Sequence, residues 1–303
     1  MQPPAAPNRT AQLLPILSVV AGIAAFSAMD AAMKAASLAV GVMTALFLRN
    51  LCATLLTVPL WLAAGRPLPD ARVFRVHLQR SAITAAMAAL FFYGLVRVPM
   101  AEGIAISFVA PIIALYLAAA MLGERVRPRA IVASLLGVVG VLVIGAGRFG
   151  TGAYSDEALA GTVAILVSAG FYAVNLVLQR RQALLAGPVE IALFQNLNVT
   201  MIFALCAPFF FVAPDAHSLG VAVAGGLLAT MALLFLSWGY ARAEAQVLVP
   251  IEYTGFLWAA LLGWLVFGER VDLATLAGAM LIVLGCWIGT RAGAEPVVDA
   301  TKV

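Results

Sequence analysis

Gly123-Glu124-Arg125-Val126 returns unchanged as Gly268-Glu269-Arg270-Val271, 145 positions further along the chain. The same offset, without a gap, lays Gly94 on Gly239, Arg97 on Arg242 and Gly140 on Gly285. Earlier in each copy Phe26-Ser-Ala-Met-Asp30 falls on Phe171-Tyr-Ala-Val-Asn175, Lys34 on Gln179 and Asn50 on Gln195. A register kept over so many positions marks an internal duplication.

Around these landmarks the chain is apolar. Of its 303 residues 64% are hydrophobic and 11% charged, with a mean hydropathy of +1.04, whereas about 25% of the residues of a soluble domain are charged. Apolar runs of about 20 residues, the length an α-helix needs to cross ~30 Å of hydrocarbon, predict spans at 13–34, 42–64, 77–97, 101–122, 128–147, 159–179, 188–213, 218–241, 247–267 and 272–290. The expected fold class is an all-α membrane protein with ten transmembrane helices, five in each copy. An odd number of spans per copy sends the second copy into the membrane from the opposite side, so the two form an inverted repeat. The expected divisions are an N-terminal tail over 1–12, a first repeat over 13–147, a linker over 148–158, a second repeat over 159–290 and a C-terminal tail over 291–303. The apolar run from Leu13 exceeds the ~7–15 residues of a signal-peptide core and reads as an uncleaved first span.

Basic residues gather in alternate loops: Arg66, Arg72, Arg75 and Arg80, then Arg125, Arg127 and Arg129, then Arg180 and Arg181, then Arg242. By the positive-inside rule those loops and both termini are cytoplasmic and the linker periplasmic, in a bacterial inner membrane. The net charge of +4 therefore reports orientation, not a nucleic-acid partner. Cys52, Cys206 and Cys286 fall inside apolar runs without paired spacing, which suggests neither a disulfide framework nor a zinc site. His77 and His217 read as solvated loop residues. No metal and no cofactor are expected. Lys34 and Lys302 are the only lysines, so no Gly-x-x-x-x-Gly-Lys phosphate loop exists. Neither a Gly-x-Ser-x-Gly elbow nor a His-Glu-x-x-His pair occurs, and the sequence argues against an enzyme or an ATP-driven pump.

The repeat, the fourth-span run Glu102-Gly-Ile-Ala-Ile-Ser-Phe108-Val-Ala-Pro111, the Leu-Gly-Glu-Arg and Phe-Gly-Glu-Arg loops at 122–125 and 267–270, and the run Glu252-Tyr-Thr-Gly-Phe-Leu-Trp258 resemble the drug/metabolite transporter superfamily in its ten-helix EamA-type form. The resemblance covers roughly 13–290 and implies an inverted repeat around a central cavity that carries a small solute. Together with Asp30 and Lys34, these runs look like the branch holding S-adenosylmethionine and riboflavin carriers and some metallophore or amino-acid exporters. Such motifs mark a scaffold more than a substrate.

An ionisable residue inside a span costs at least ~2.5–3.5 kcal/mol on insertion scales, so it usually faces protein or a wet cavity. Asp30, Lys34, Arg49, Glu102 and Glu252 meet that description. Asp30 and Lys34 are four residues apart, on one helix face and close enough to pair. Arg49 also has the reach to snorkel to headgroups, and Glu102 sits where a first-turn acid suits the helix dipole. Asn50, Tyr172, Asn175, Gln195, Asn196 and Asn198 add uncharged donors and acceptors, which either line a shared locus or bond helix to helix. Tyr93, Trp238, Tyr240, Tyr253 and Trp258 offer rings; Trp258, well inside its span, is the best placed to stack on a solute. Pro111 predicts a mid-span kink against the carbonyl of Ser107. Glu252, whose repeat counterpart is Ser107, breaks the symmetry of the halves and is the candidate for proton coupling or for holding a cationic group. The Gly-Glu-Arg loops read as tight turns held by local charge pairs, outside the site. The function expected is secondary transport, by alternating access, of a small polar or zwitterionic metabolite that is amino-acid-like, metallophore-like or cofactor-like. Alternatives are a passive facilitator or a drug or cation exporter of the same fold, or a non-transporting scaffold.

Overall fold

The computed structural model describes residues 9–65, 68–110, 112–113, 116–117, 128–150, 155–240, 242, 248 and 251–291. Pro111, the first Gly-Glu-Arg loop and nearly all of both tails lie outside the described residues. The protein is an all-α membrane protein of two inverted five-span repeats, and the described residues form ten helices: α1 (Arg9–Val40), α2 (Val42–Ala63), α3 (Ala71–Leu95), α4 (Met100–Ser107) and α5 (Pro128–Gly150), then α6 (Asp156–Ala183), α7 (Pro188–Phe210), α8 (Ala216–Tyr240), α9 (Gly255–Phe267) and α10 (Leu273–Arg291).

Local chemistry sets the ends. Asp70 caps α3 by accepting the Val73 N–H at 2.7 Å, and its repeat counterpart Asp215 caps α8 by accepting the Ser218 N–H at 2.7 Å. The side-chain oxygens satisfy amide donors that a helix start leaves free. Gly187-Pro188 opens α7, where proline gives up no helical hydrogen bond. Because Asp70 starts α3 six residues before the expected span, Arg72, Arg75, His77 and Arg80 lie on a helix and not in a loop. His77 is fully buried, which corrects the reading of it as a solvated loop residue. Hydropathy alone placed that boundary where the apolar run begins, whereas the cap determines where the helix begins.

Each helix packs antiparallel on a helix of the other repeat: α1 on α8, α6 on α3, α2 on α7, α5 on α10 and α4 on α9. Small residues permit the contacts. A Cβ on Gly94 would stand 2.5 Å from the carbonyl oxygen of Gly161, and one on Gly278 2.5 Å from that of Gly140. In lipid, where apolar side chains gain nothing by leaving solvent, such close backbone approach drives helix association. The outer faces carry Leu205, Phe209 and Leu234, exposed by 75%, 81% and 66%, a surface that hydrocarbon covers and water would penalise. Repeat symmetry extends to the rim. Arg97 lies 3.5 Å over the Tyr93 ring and Arg242 4.3 Å over the Trp238 ring, and each donates to the carbonyl of that same aromatic residue.

Candidate functional site

Two expected spans are not continuous helices. α4 stops at Ser107, and the next residues close three-residue turns, Phe108 N–H to Ala105 O at 3.2 Å and Val109 N–H to Ile106 O at 3.1 Å. The chain ahead of α9 does the same, with Thr254 N–H to Ile251 O at 2.9 Å and Phe256 N–H to Tyr253 O at 3.2 Å. Ser107 and Thr254 each turn a hydroxyl back onto a carbonyl three residues earlier, at 2.7 Å. These segments, 107–109 and 252–254, coincide under the repeat. Pro111, by its place four residues after Ser107, denies that carbonyl a donor; the second copy has Phe256 there and still breaks, so proline is not the common cause. The breaks meet: the Phe108 and Tyr253 rings stand edge to face at 5.3 Å. Non-helical backbone at membrane depth is tolerated where protein or a wet cavity satisfies it.

Charge gathers beside the breaks. Glu252 is accessible at the second break, close enough to Tyr172 on α6 for its charge to act on the phenol. On α1 and α2, Asp30 and Arg49 act on one another electrostatically, and the Arg49 guanidinium also reaches the Met29 sulfur at 3.8 Å. Gly255, which follows the second break, faces Ile23, which lies 3.5 Å from where a Cβ on the glycine would stand and about two turns from Asp30 on α1. Glu252 and Tyr172 thus flank the breaks directly, with Asp30 and Arg49 on the adjoining stretch of α1 and α2. Trp258 is half-buried one turn into α9.

Lys34 does not pair with Asp30. Its ammonium donates to Glu269 Oε1 at 2.5 Å and to the Val98 carbonyl at 2.8 Å, and sits 5.0 Å from the Phe267 ring centre. The other Glu269 oxygen accepts the Met100 N–H at 2.6 Å. Glu269 therefore holds α1 and the α3–α4 turn, and is not a local loop pair as expected. Gly268 at φ 66° ends α9 in the left-handed region that glycine favours, and Gly263 leaves room for the carboxylate, since a Cβ there would stand 2.7 Å from Glu269 Oε2. Glu102, in the first turn of α4, is buried.

The amides divide between roles. Asn175 accepts from Arg80 Nε and from Thr84, both at 3.1 Å, and so joins α6 to α3. Arg80 continues to Gln182, Gln182 to His77 Nδ1, and His77 Nε2 to Glu190 at 3.1 Å. This chain of hydrogen bonds ties α3, α6 and α7. Sequence reasoning missed Arg80, Gln182 and Glu190 because they were assigned to loops or span ends. Asn50 bonds back to Leu46 O at 2.7 Å. Beside it the Thr54 and Thr200 hydroxyls meet at 3.2 Å, with Thr200 also bonded to the carbonyl of Asn196. Gln195, the counterpart of Asn50, buries both amide atoms with no partner among the described residues, as does the Asn198 amide nitrogen.

The family model described as EamA-like transporter family matches twice, over residues 13–146 and 159–290. The pseudopaline exporter CntI of Pseudomonas aeruginosa (strain UCBPP-PA14) is 30% identical over 273 residues, 89% of this chain and 93% of that protein. A riboflavin transporter of Brucella anthropi is 24% identical over 273 residues, 88% and 94% of the two chains. An S-adenosylmethionine uptake transporter of Rickettsia felis is 23% identical over 209 residues, 68% of this chain and 69% of that one. One protein of known crystal structure superposes with a TM-score of 0.62 at 22% identity over 92% of this chain and 96% of its own, which shows the fold alone.

Proposed function

As a member of the EamA-like transporter family, the chain is a membrane transporter, and we propose that its cargo is a small zwitterionic metabolite carried across the bacterial inner membrane by alternating access. Both termini are on the cytoplasmic side in this reading, and no covalent chemistry is performed. The carrying observation is the meeting of the two repeat-related helix breaks at Phe108 and Tyr253, 5.3 Å apart. Transporters of inverted-repeat construction place their solute where discontinuous helices meet, and rock one half against the other around it.

The charges beside the breaks favour a zwitterion. Asp30 and Glu252 suit an ammonium or other cationic group, Arg49 suits a carboxylate, and Tyr172 and Trp258 supply amphipathic rings. Asp30 and Arg49 act on one another electrostatically, so a solute bearing both signs offers a partner to each of them at once, whereas an ion of one sign serves only one. The relatives' names span an exporter and an uptake transporter, so the scaffold itself does not fix direction.

The test is an untargeted comparison of metabolites inside and outside cells with and without this gene, followed by uptake or efflux of the responding solute in the Asp30→Asn variant. Transport should be lost while the protein stays abundant in the membrane. An unchanged metabolite profile, or normal transport by Asp30→Asn, would count against the site.

A further inference from the structure

With alternating access as the premise, we propose that Lys34 and Glu269 are the latch that closes the face at which α1 ends, a contact that the second repeat does not reproduce at Gln179. Three elements meet at this pair. Lys34 comes from the last turns of α1, Val98 and Met100 from the α3–α4 turn, and Glu269 from the α9–α10 turn, and all are joined by hydrogen bonds. The Lys34 and Glu269 side chains are exposed by only 4% and 19%. Outside them lies a cavity of about 540 Å³ lined by Lys34, Arg97, Glu269, Arg270 and Asp272 among others. Inward, Met100 begins α4, and the break at Ser107 lies about 10 Å deeper at 1.5 Å per residue. The pair thus stands between an outer vestibule and the helix breaks. Asp30 is one turn deeper than Lys34 on the same face of α1.

A buried ion pair of this kind is a poor staple, because desolvation offsets most of its attraction, but breaking it leaves a charge uncompensated. It therefore suits a two-state contact that is closed or released as a whole. Gln179, an exposed residue, stands where the repeat puts Lys34. An amide cannot form the ion pair, and the opposite face is joined differently, through Arg80, Gln182, His77 and Glu190, so the two faces close by different contacts, and the resting state is the one closed at the latch. Lys34 and Glu269 act on the solute's path by positioning helices, not by touching the solute.

The test needs no substrate. In a cysteine-free protein, Ser107→Cys reports access from the latch face by its rate of modification with a membrane-impermeant thiol reagent, and Ala213→Cys marks that face. Modification of residue 107 should be slow with the latch intact. It should rise about tenfold or more in Lys34→Gln, since a well-closed equilibrium amplifies any loss of closed-state contact. Gly263→Ala, which changes no charge but displaces the Glu269 carboxylate, should act in the same direction. Lys34→Glu combined with Glu269→Lys should bring the rate part of the way back, the Met100 N–H having lost its acceptor. A merely structural pair would lower the melting temperature without changing side-specific access. Unchanged rates in both Lys34→Gln and Gly263→Ala, in protein that melts normally, overturn the latch. A latch that behaves as described in a protein that moves no solute overturns the transport reading instead.

Discussion

Asn175 illustrates how one side chain can be read in two ways. Its sequence position, superposed on Asp30, placed it beside the solute, but its oxygen is occupied by Arg80 and Thr84. Removing a buried acceptor leaves its donors unpaired, a loss of about 1–3 kcal/mol. Asn175→Leu should therefore lower the melting temperature of the detergent-solubilised protein, and Asn175→Asp, which keeps the acceptor for Arg80, should spare it; equal melting of the two would remove Asn175 from the α3–α6 joint. Glu252 has the opposite geometry, accessible at a helix break. If it carries the coupling proton, reconstituted protein should show solute-driven proton movement that vanishes in Glu252→Gln while solute binding at fixed pH survives. Persistent proton-driven transport in that variant would exclude the role. Asp215 offers a pH test outside the spans. The hydrogen bonds from the Ser218 side chain and N–H hold its carboxyl below the ordinary value of 3.8. A depressed carboxylate stabilises the fold above its unfolded pKa and loses that contribution as pH falls through its folded pKa. The difference in melting temperature between the native chain and Asp215→Ala should accordingly be full at neutral pH and shrink only below about pH 4.

At the scale of helices, the contacts that matter are made by what is missing. Gly278 lies against the carbonyl of Gly140, and overfilling such a contact typically costs about 1–3 kcal/mol. Gly278→Val should lower the melting temperature of the detergent-solubilised protein by separating α5 from α10, and an unaltered melt would mean that this interface already has room. Span number and order were legible because each apolar run is long enough to announce itself. The interruptions in the fourth and ninth spans were not, since Ser107-Phe108-Val109 and Glu252-Tyr253-Thr254 are ordinary helix-compatible residues, and only the Pro111 signal hinted at one of them. The Lys34 contact was equally hidden. Spacing pointed to Asp30 four residues away, while the partner chosen stands 235 residues on, and no periodicity reports a contact of that range.

For the molecule as a whole, orientation is the property on which every sided argument depends. Single cysteines in the 180–187 segment should resist membrane-impermeant thiol reagents in intact cells, and one at Gly152 should react. The reverse pattern would invert the assignment of faces without disturbing the fold. The duplication was readable because two copies kept enough identities in register, yet the differences between copies carry much of the interest. One of these is the connection between α1 and α2, which is Gly41 alone, at φ 81° with no neighbour within 4 Å of a would-be Cβ. The glycine is there for its backbone angle and not for want of space. In the second copy the same junction, between α6 and α7, runs through residues 184–187. The first hairpin therefore has no slack. A tilt of α1 carries α2 with it, Lys34, Asp30, Arg49 and Asn50 moving as one lever, whereas between α6 and α7 the longer tether leaves the coupling to the side-chain bonds that run from Gln182 through His77 to Glu190.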